Sequence, residues 1–274
     1  MGGRLRGAPG RGERGRVSKL LLALDTATER TTVGLARIES ADLDVFASAV
    51  VDAPRAAMSR LLPMADTLLS SHNLTIAEVG GIIVGRGPGS FTGVRIGVAT
   101  AKGLAHGLGC PLWGVGTLDA IAWGMCNQDV TLGIVGDAMR GEVYPALFRC
   151  GHRRVERLTP DRAVRPEEIA AEWAARCEPI LLAGNGLRKY APTFIETLGQ
   201  HASVADEDAW APHPAGLFEA WADLLASDAH GSGEPGDLLP IYTRLSDAEE
   251  NERVRAGLAP ASTPDSGVAG GEGR

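Results

Sequence analysis

The chain has 274 residues, of which 44% are hydrophobic and 22% are charged, and these values are ordinary for a globular protein with room for two domains. Its net charge is −7 although residues 1–17 carry a balance of +4, and an acidic body does not by itself form a nucleic-acid-binding surface. The four cysteines are far apart without a CxxC pair, which argues against a zinc site and fits the reduced thiols of a cytosolic protein. The longest apolar run near the start, Leu20–Leu24, is too short for a signal-peptide core or a membrane span.

The two ends of the chain differ in composition from the rest. Residues 1–17 are rich in glycine and arginine, and residues 257–274 are mostly glycine, alanine, proline and serine. Neither stretch has enough apolar side chains to form a core, so we expect a disordered basic extension and a disordered tail.

Residues 18–127 are predicted to form an α/β lobe with a mixed sheet. Three short strands at 19–24, 31–37 and 43–51 are joined by tight turns, which is typical of an antiparallel meander. The remaining predicted elements of this lobe are a helix at 58–70 with Pro63 inside it, a strand at 82–84, a helix from Thr92, a strand at 112–115 and a helix from Thr117.

Residues 128–256 are predicted to form a second lobe of the same kind. Asp25 ends the first strand of the first lobe, and Asp137 ends the first strand of the second, so the two halves resemble each other. The predicted elements of the second lobe are strands at 131–137, 142–148, 154–158, 179–183 and 238–242, with helices from Pro166, after Gly186 and at 215–227.

The loop from Gly85 to Phe91 joins a buried strand to a helix, with Ser90 or Thr92 as the N-cap residue. A glycine-rich turn at a helix N-terminus is a common anion site. However, the glycine spacing matches neither a Walker A loop nor a dinucleotide fingerprint, and a tight turn without a ligand explains it better. A carboxylate at a strand end can hold a metal–phosphate complex, but turn chemistry accounts for such an aspartate slightly better. The candidate phosphate- or nucleotide-binding residues are Asp25, Thr26, Gly87, Gly89 and Asp137.

Small residues recur at every fourth position of the helix that follows this loop, at Gly93, Gly97, Ala101 and Ala105. Each interior glycine costs about 1 kcal/mol relative to alanine. Because small residues at this spacing allow helices to approach closely, we expect this face to pack against a second helix.

No spacing in the sequence matches a catalytic or metal-binding motif. The six histidines include no HExxH motif, and Ser90 does not lie in a nucleophile elbow. We therefore predict no metal site, no catalytic residues and no firmly bound cofactor.

Three sequence blocks, taken together and in order, resemble the TsaB (YeaZ) family. They are Leu22–Thr28 (LALDTAT), Gly85–Gly97 (GRGPGSFTGVRIG) and Asp137–Tyr144 (DAMRGEVY), with weaker support from Leu61–Met64 and Pro240–Arg244. The resemblance covers about residues 18–150. It implies two ribonuclease-H-like lobes of the actin-like, sugar-kinase and Hsp70 superfamily, with mixed sheets flanked by helices.

The same resemblance implies a role in making threonylcarbamoyladenosine at position 37 of ANN-decoding tRNAs. In that family the chain is a non-catalytic scaffold that pairs with the catalytic TsaD subunit, works with the ATPase TsaE and meets tRNA through the complex. ATP or ADP is then expected in the assembled complex, the location is cytoplasmic, and a homodimer is expected when the partner is missing. The family's metal-binding histidines of TsaD have no counterpart in the helix at 57–71.

The family pairs through its first two helices, which correspond here to residues 57–71 and 92–108. The partner-interface residues implied by the resemblance and the small-residue spacing are Leu61, Leu62, Ala65, Leu68, Gly93, Val94, Gly97, Ala101 and Ala105. Ala56-Ala57-Met58 replaces a histidine and a polar residue that family members commonly carry before the Leu-Leu-Pro segment.

Two other functions remain open on the sequence. A stand-alone ATPase or kinase of the actin-like fold would use Asp25, Asp137 and the glycine loop on phosphates. A peptidase is the weaker alternative, because no nucleophile–base pair or metal constellation is present.

Overall fold

The computed structural model describes residues 19–39, 42–52 and 57–243. Within them the chain forms two five-stranded mixed sheets with flanking helices. The strands of the N-terminal sheet are β1 (Lys19–Asp25), β2 (Arg30–Glu39), β3 (Asp42–Asp52), β4 (Val79–Gly85) and β5 (Leu112–Val115). Those of the C-terminal sheet are β6 (Val130–Met139), β7 (Glu142–Gly151), β8 (Arg154–Arg157), β9 (Ile180–Ala183) and β10 (Ala202–Val204). The α-helices are α1 (Ala57–Ser71), α2 (Phe91–Leu108), α3 (Thr117–Trp123), α4 (Pro166–Ala174), α5 (Leu187–Leu198) and α6 (Pro214–Ala226).

The two sheets have the same topology. The strand order is β3-β2-β1-β4-β5 in the first sheet and β8-β7-β6-β9-β10 in the second. In each sheet the first three strands in chain order pair antiparallel and the last two join in parallel. One helix precedes the fourth strand, one precedes the fifth and one follows it. The prediction of two related lobes with mixed sheets is therefore confirmed.

Strand β1 lies at the centre of the N-terminal sheet and is apolar on both faces, as expected of a strand covered on both sides. Leu22 and Leu24 belong to the core under α1 and α2. Leu21 and Ala23 belong to a second core on the opposite face, together with Phe218 of α6.

The last helix of each lobe covers the sheet of the other lobe. Leu118 and Ile121 of α3 pack in the core of the C-terminal sheet. In return, Leu217 and Trp221 of α6 pack on the N-terminal sheet. The two helices touch at Gly216, where an added Cβ atom would overlap the carbonyl oxygen of Ala120. This exchange ties the two lobes together.

The chain after α6 also returns to the N-terminal lobe. The amide of Leu112 donates to the carbonyl of Gly233 at 2.9 Å, and the amide of Ile241 donates to the carbonyl of Arg86 at 2.7 Å. The prediction of a strand at 238–242 is wrong. The segment is irregular backbone, and its hydrogen bonds to the loop after β4 are isolated. The predicted disorder of residues 1–17 and 257–274 concerns parts of the chain outside the described residues.

Trp221 tests the packing of α6 on the N-terminal sheet, because it is 3% exposed and contacts Trp113 with the ring centroids 5.1 Å apart and the ring planes tilted by 44°. We expect Trp221→Ala to lower the free energy of unfolding by about 3–5 kcal/mol, since it leaves a cavity on the N-terminal sheet. Leu225→Ala, at a 39% exposed position of the same helix, is the control and should change it by about 0.5 kcal/mol or less. Urea denaturation measures both, and equal losses would contradict the packing described.

Candidate functional site

The carboxylate of Asp25 lies at the end of β1 and is completely buried. One oxygen, Oδ1, accepts the backbone N–H of Ala27 at 2.7 Å, and Oδ2 accepts the hydroxyl of Thr117 at 2.8 Å. The Thr117 hydroxyl oxygen in turn accepts the N–H of Gly87 at 3.1 Å. Asp25 therefore connects β1, the glycine loop and the start of α3.

Burial raises the pKa of Asp25 from its ordinary value of 3.8 to about 6. The two hydrogen bonds, from Ala27 and Thr117, oppose this shift because they stabilise the charged form. The side chain is thus costly to ionise, and its lone pairs are directed at groups of its own chain.

Thr26, the next residue, lies directly against the first turns of α2. Its hydroxyl donates to the carbonyl of Gly93 at 2.7 Å. A Cβ atom at Gly93 would overlap the carbonyl oxygen of Thr26, and one at Gly97 would lie 2.6 Å from its hydroxyl oxygen. Of the two predicted N-cap residues, Ser90 is the N-cap of α2, because its hydroxyl oxygen accepts the N–H of Gly93 at 3.3 Å.

The glycines of the loop after β4 allow equally close approaches. An added Cβ at Gly85 would overlap the carboxylate of Asp25, and one at Gly89 would overlap the carbonyl oxygen of Ala27. Gly87 has a φ of +93°, a conformation that favours glycine. The structure thus places Asp25, Thr26, Gly87 and Gly89 in one region, where Asp25, Thr26 and Gly87 hydrogen-bond to other groups of the chain. Phosphate binding by these residues stays a prediction.

Asp137, the fifth candidate, lies in the other lobe near the end of β6. Its Oδ1 accepts the N–H of Met139 at 3.0 Å, and its Oδ2 accepts a hydrogen bond from Lys189 Nζ at 2.5 Å. This hydrogen bond raises the pKa of Lys189, because it stabilises the charged ammonium group. The backbone N–H of Asp137 donates to Asn185 Oδ1 at 2.9 Å.

Glu29 connects the turn after β1 to the opposite lobe. Its carboxylate accepts hydrogen bonds from Asn185 Nδ2 at 2.6 Å and from Arg188 Nε at 3.1 Å. Sequence reasoning missed Glu29, Asn185, Arg188 and Lys189. No spacing rule links Glu29 to Asn185 and Arg188, which lie 156 and 159 positions away in the sequence.

The predicted partner-interface residues divide into buried and exposed groups. Leu62 is 49% exposed, and Leu68 is half-buried. The buried residues are Leu61, Ala65, Gly93, Val94, Gly97, Ala101 and Ala105. They face the chain's own sheet and the Thr26 turn, so the small-residue face of α2 packs against other parts of the same chain. The close approach inferred from the spacing exists, but it lies within the chain.

A different set of small residues lies on the outer side of α2. Ala99, Gly103 and Gly107 are exposed at intervals of four residues, and added Cβ atoms at Gly103 and Gly107 would meet open space. On α1, Met58 and Leu62 are 75% and 49% exposed. The outer side of these two helices is therefore open and partly apolar.

The comparisons with solved structures agree with this architecture. YeaZ from Pseudomonas aeruginosa is 29% identical, with a TM-score of 0.67 over 82% of this chain and 99% of that chain. A second structure, an uncharacterised protein with similarity to peptidase YeaZ from the same organism, is 30% identical, with a TM-score of 0.68 over 82% and 100%. Both structures share the two-lobed fold of this chain.

Sequence relatives narrow the class to one family. A family model described as TsaD, tRNA N6-adenosine threonylcarbamoyltransferase, matches residues 51–199. The tRNA threonylcarbamoyladenosine biosynthesis protein TsaB of Bacillus subtilis is 28% identical over 84% of this chain and 96% of its own length. An uncharacterised protein of Mycobacterium tuberculosis is 35% identical over 84% and 93%. The chain belongs to the TsaB (YeaZ) family.

Two glycines of α2 provide a matched test of the close approach to Thr26. We expect Gly93→Ala to destabilise the protein by about 1–3 kcal/mol, because the new methyl group overlaps a backbone carbonyl that cannot move independently. Gly103→Ala should instead stabilise it by about 1 kcal/mol, because the site is open and alanine favours the helix. Urea unfolding gives the free energy of unfolding of both variants. Stabilisation by Gly93→Ala would contradict the close contact between Gly93 and the carbonyl group of Thr26.

Asp25 should also give the stability a characteristic dependence on pH. Its pKa of about 6 in the folded protein is higher than the ordinary 3.8, so between these values the folded protein holds a proton that the unfolded chain has released. From pH 7 to pH 4, the free energy of unfolding should rise by on the order of 3 kcal/mol relative to Asp25→Asn. Denaturation of both proteins across this range measures the difference, and a constant difference would contradict the buried titration.

Proposed function

We propose that this chain is a non-catalytic subunit of the complex that adds threonylcarbamoyl to N6 of adenosine 37 in ANN-decoding tRNAs. Family membership supports the pathway, since curated relatives carry the name of tRNA threonylcarbamoyladenosine biosynthesis protein TsaB. In this proposal the chain pairs with a TsaD-type catalytic subunit in the cytoplasm, and a TsaE-type ATPase and tRNA join through the complex.

The proposal that this subunit is non-catalytic rests on the contact between the Asp25 turn and the glycine loop. A phosphate bound between them would need free backbone N–H groups and an accessible carboxylate. Here Asp25 is completely buried, the N–H of Ala27 donates to it, and that of Gly87 donates to Thr117. The atoms that would hold a phosphate in this lobe already bond to one another.

The opposite lobe supports the same conclusion. Its equivalent carboxylate, Asp137, is paired with Lys189, and Glu29 reaches across from the first lobe to Asn185. A nucleotide between the lobes would have to displace these hydrogen bonds. ATP or ADP is therefore assigned to the assembled complex, and this subunit contributes binding surface.

The surface proposed for the TsaD-type partner is the outer side of α1 and α2. A partner that covers exposed apolar side chains such as Leu62 and Met58 is stabilised, because removing apolar surface from water lowers the free energy of the complex. The exposed glycines Gly103 and Gly107 permit a close approach to the outer side of α2. The buried small residues, in contrast, keep α2 in place.

Leu62→Glu tests this surface. We expect the variant to fold normally and to lose affinity for the TsaD-type subunit by about tenfold or more, because an unpaired carboxylate buried at an interface costs more than the ~1.4 kcal/mol that corresponds to a factor of ten. Ile195→Glu is the matched control, since Ile195 is a 46% exposed apolar residue of α5 in the other lobe. Calorimetric titration of both variants with the partner gives the affinities.

Two results would contradict the proposal. If Leu62→Glu binds the partner as tightly as the wild type, the outer side of α1 is not the interface. If the isolated chain hydrolyses ATP and Asp25→Asn abolishes the activity, the chain is instead a stand-alone ATPase of the same fold.

A further inference from the structure

A pocket lies beside β5, the last strand of the N-terminal sheet. Its walls come from β5, from Arg86 in the loop after β4 and from the segment 229–238, and its volume is about 150 Å³. An engineered cavity of about this volume in another protein holds benzene, a ligand of about six non-hydrogen atoms. The pocket has room for a ligand of that size, and its lining includes neither the Asp25 turn nor α1 or α2.

Arg86 forms one end of the pocket. Its side chain crosses β5 at Gly114, where an added Cβ atom would lie 2.8 Å from Arg86 Cδ. The Nε atom is buried and has no hydrogen-bond partner among the described residues, and Nη1 makes a long contact of 3.5 Å to the carbonyl oxygen of Leu239. A buried donor without a partner is costly, so the guanidinium lacks a good acceptor at this end.

His230 adds a second unpaired nitrogen to the lining. Its Nδ1 atom is buried without a hydrogen-bond partner in the described part of the chain, and it lies 4.0 Å from Oδ1 of Asp228. That separation is too long for a hydrogen bond. Two nitrogen-bearing side chains of the pocket therefore have hydrogen-bonding capacity that this chain does not use.

The opposite end of the pocket is acidic. The amide of Leu112 donates to the carbonyl of Gly233 at 2.9 Å, so the next residue, Glu234, lies beside Leu112. Asp237 is held to the same segment, because its Oδ2 accepts the hydroxyl of Ser232 at 2.8 Å. Glu234 and Asp237 are both exposed and both line the pocket.

The spacing along β5 sets the distance between the two ends. Arg86 crosses the strand at Gly114, whereas the acidic segment is held at Leu112. Two residues of a strand span about 7 Å. This length suits a ligand that carries opposite charges a few bonds apart and makes one hydrogen bond at each end.

We propose that the pocket binds a small zwitterionic α-amino acid, with the ligand's carboxylate at Arg86 and its ammonium group at Glu234 and Asp237. A guanidinium is well suited to a carboxylate, and an ammonium group donates only to acceptors such as these two side chains. A phosphate ion would meet two like charges at the acidic end, and a simple carboxylate would leave that end unpaired. The lining is dipolar, so a dipolar ligand fits it better than either anion.

Calorimetric titration of the full-length protein with L-alanine tests the proposal. We expect a dissociation constant of about 1 mM or lower, since the ligand is small but both of its charges are paired. Propionate lacks the ammonium group and ethylammonium lacks the carboxylate, so each should bind more weakly by about tenfold or more. Inorganic phosphate should also bind more weakly, because the two acidic side chains repel it.

Variants of the two ends show whether the ligand lies in this pocket. Arg86→Gln and the double variant Glu234→Gln/Asp237→Asn should each weaken L-alanine binding by about tenfold or more. The double variant changes two exposed residues and keeps an oxygen that accepts the Ser232 hydroxyl, so it should fold normally. Glu196→Gln, at an exposed position of α5, is the matched control and should bind like the wild type.

Amide NMR spectra locate the ligand without any substitution. L-alanine should shift the signals of Gly231 and Gly233, which line the pocket, and should leave that of Gly199, at the end of α5, unchanged. Three results would overturn the proposal: no binding of L-alanine at about 10 mM, propionate or phosphate binding as tightly as L-alanine, or unchanged binding by the double variant. The double variant and the spectra decide the outcome even if Arg86→Gln does not fold.

Discussion

The contact between the turn Asp25–Ala27 and the first turns of α2 is the constraint on which the rest of the N-terminal lobe depends. Thr26 donates a hydrogen bond to Gly93, and the amide of Ser90 donates to Ala27 at 2.7 Å. This proximity requires glycine at several positions of the loop and helix, and it accepts the cost of a buried carboxylate. Main-chain atoms of this turn lie where Cβ atoms of Gly89 and Gly93 would otherwise be, so the turn, the loop and α2 are packed directly against one another.

The two lobes are also packed closely against each other. Helices α3 and α6 each cover the sheet of the opposite lobe, and they meet where Gly216 passes the backbone of Ala120. On the other side, Glu29 bonds to Asn185 and Arg188. The lobes are thus held together by apolar packing and by charged hydrogen bonds. None of the helices in the described ranges is long and apolar enough to span a membrane.

Much of the fold could be predicted from the sequence, because short apolar strands and amphipathic helices have distinct periodicities. Strand β5 is found at the predicted residues, and α1 differs from the prediction by one residue at each end. The segment 238–242 was mispredicted, because an apolar stretch resembles a strand, although Pro240 lies inside this one and it lacks a ladder partner. For the site, the spacing of Gly93 and Gly97 revealed a close approach but could not reveal that Thr26 fills it. The pairing of Glu29 with Arg188 depends on tertiary structure alone, and the family came from the resemblance of whole sequence blocks.

The most direct test of the account is reconstitution of the modification reaction. The protein would be mixed with a TsaD-type subunit, a TsaE-type ATPase, a source of threonylcarbamoyl-adenylate and unmodified tRNA, and modified adenosine would be measured with each component omitted in turn. A non-catalytic subunit predicts that product requires this chain and that the chain alone yields none. Equal product in its absence, or product from this chain without the TsaD-type subunit, would contradict the account.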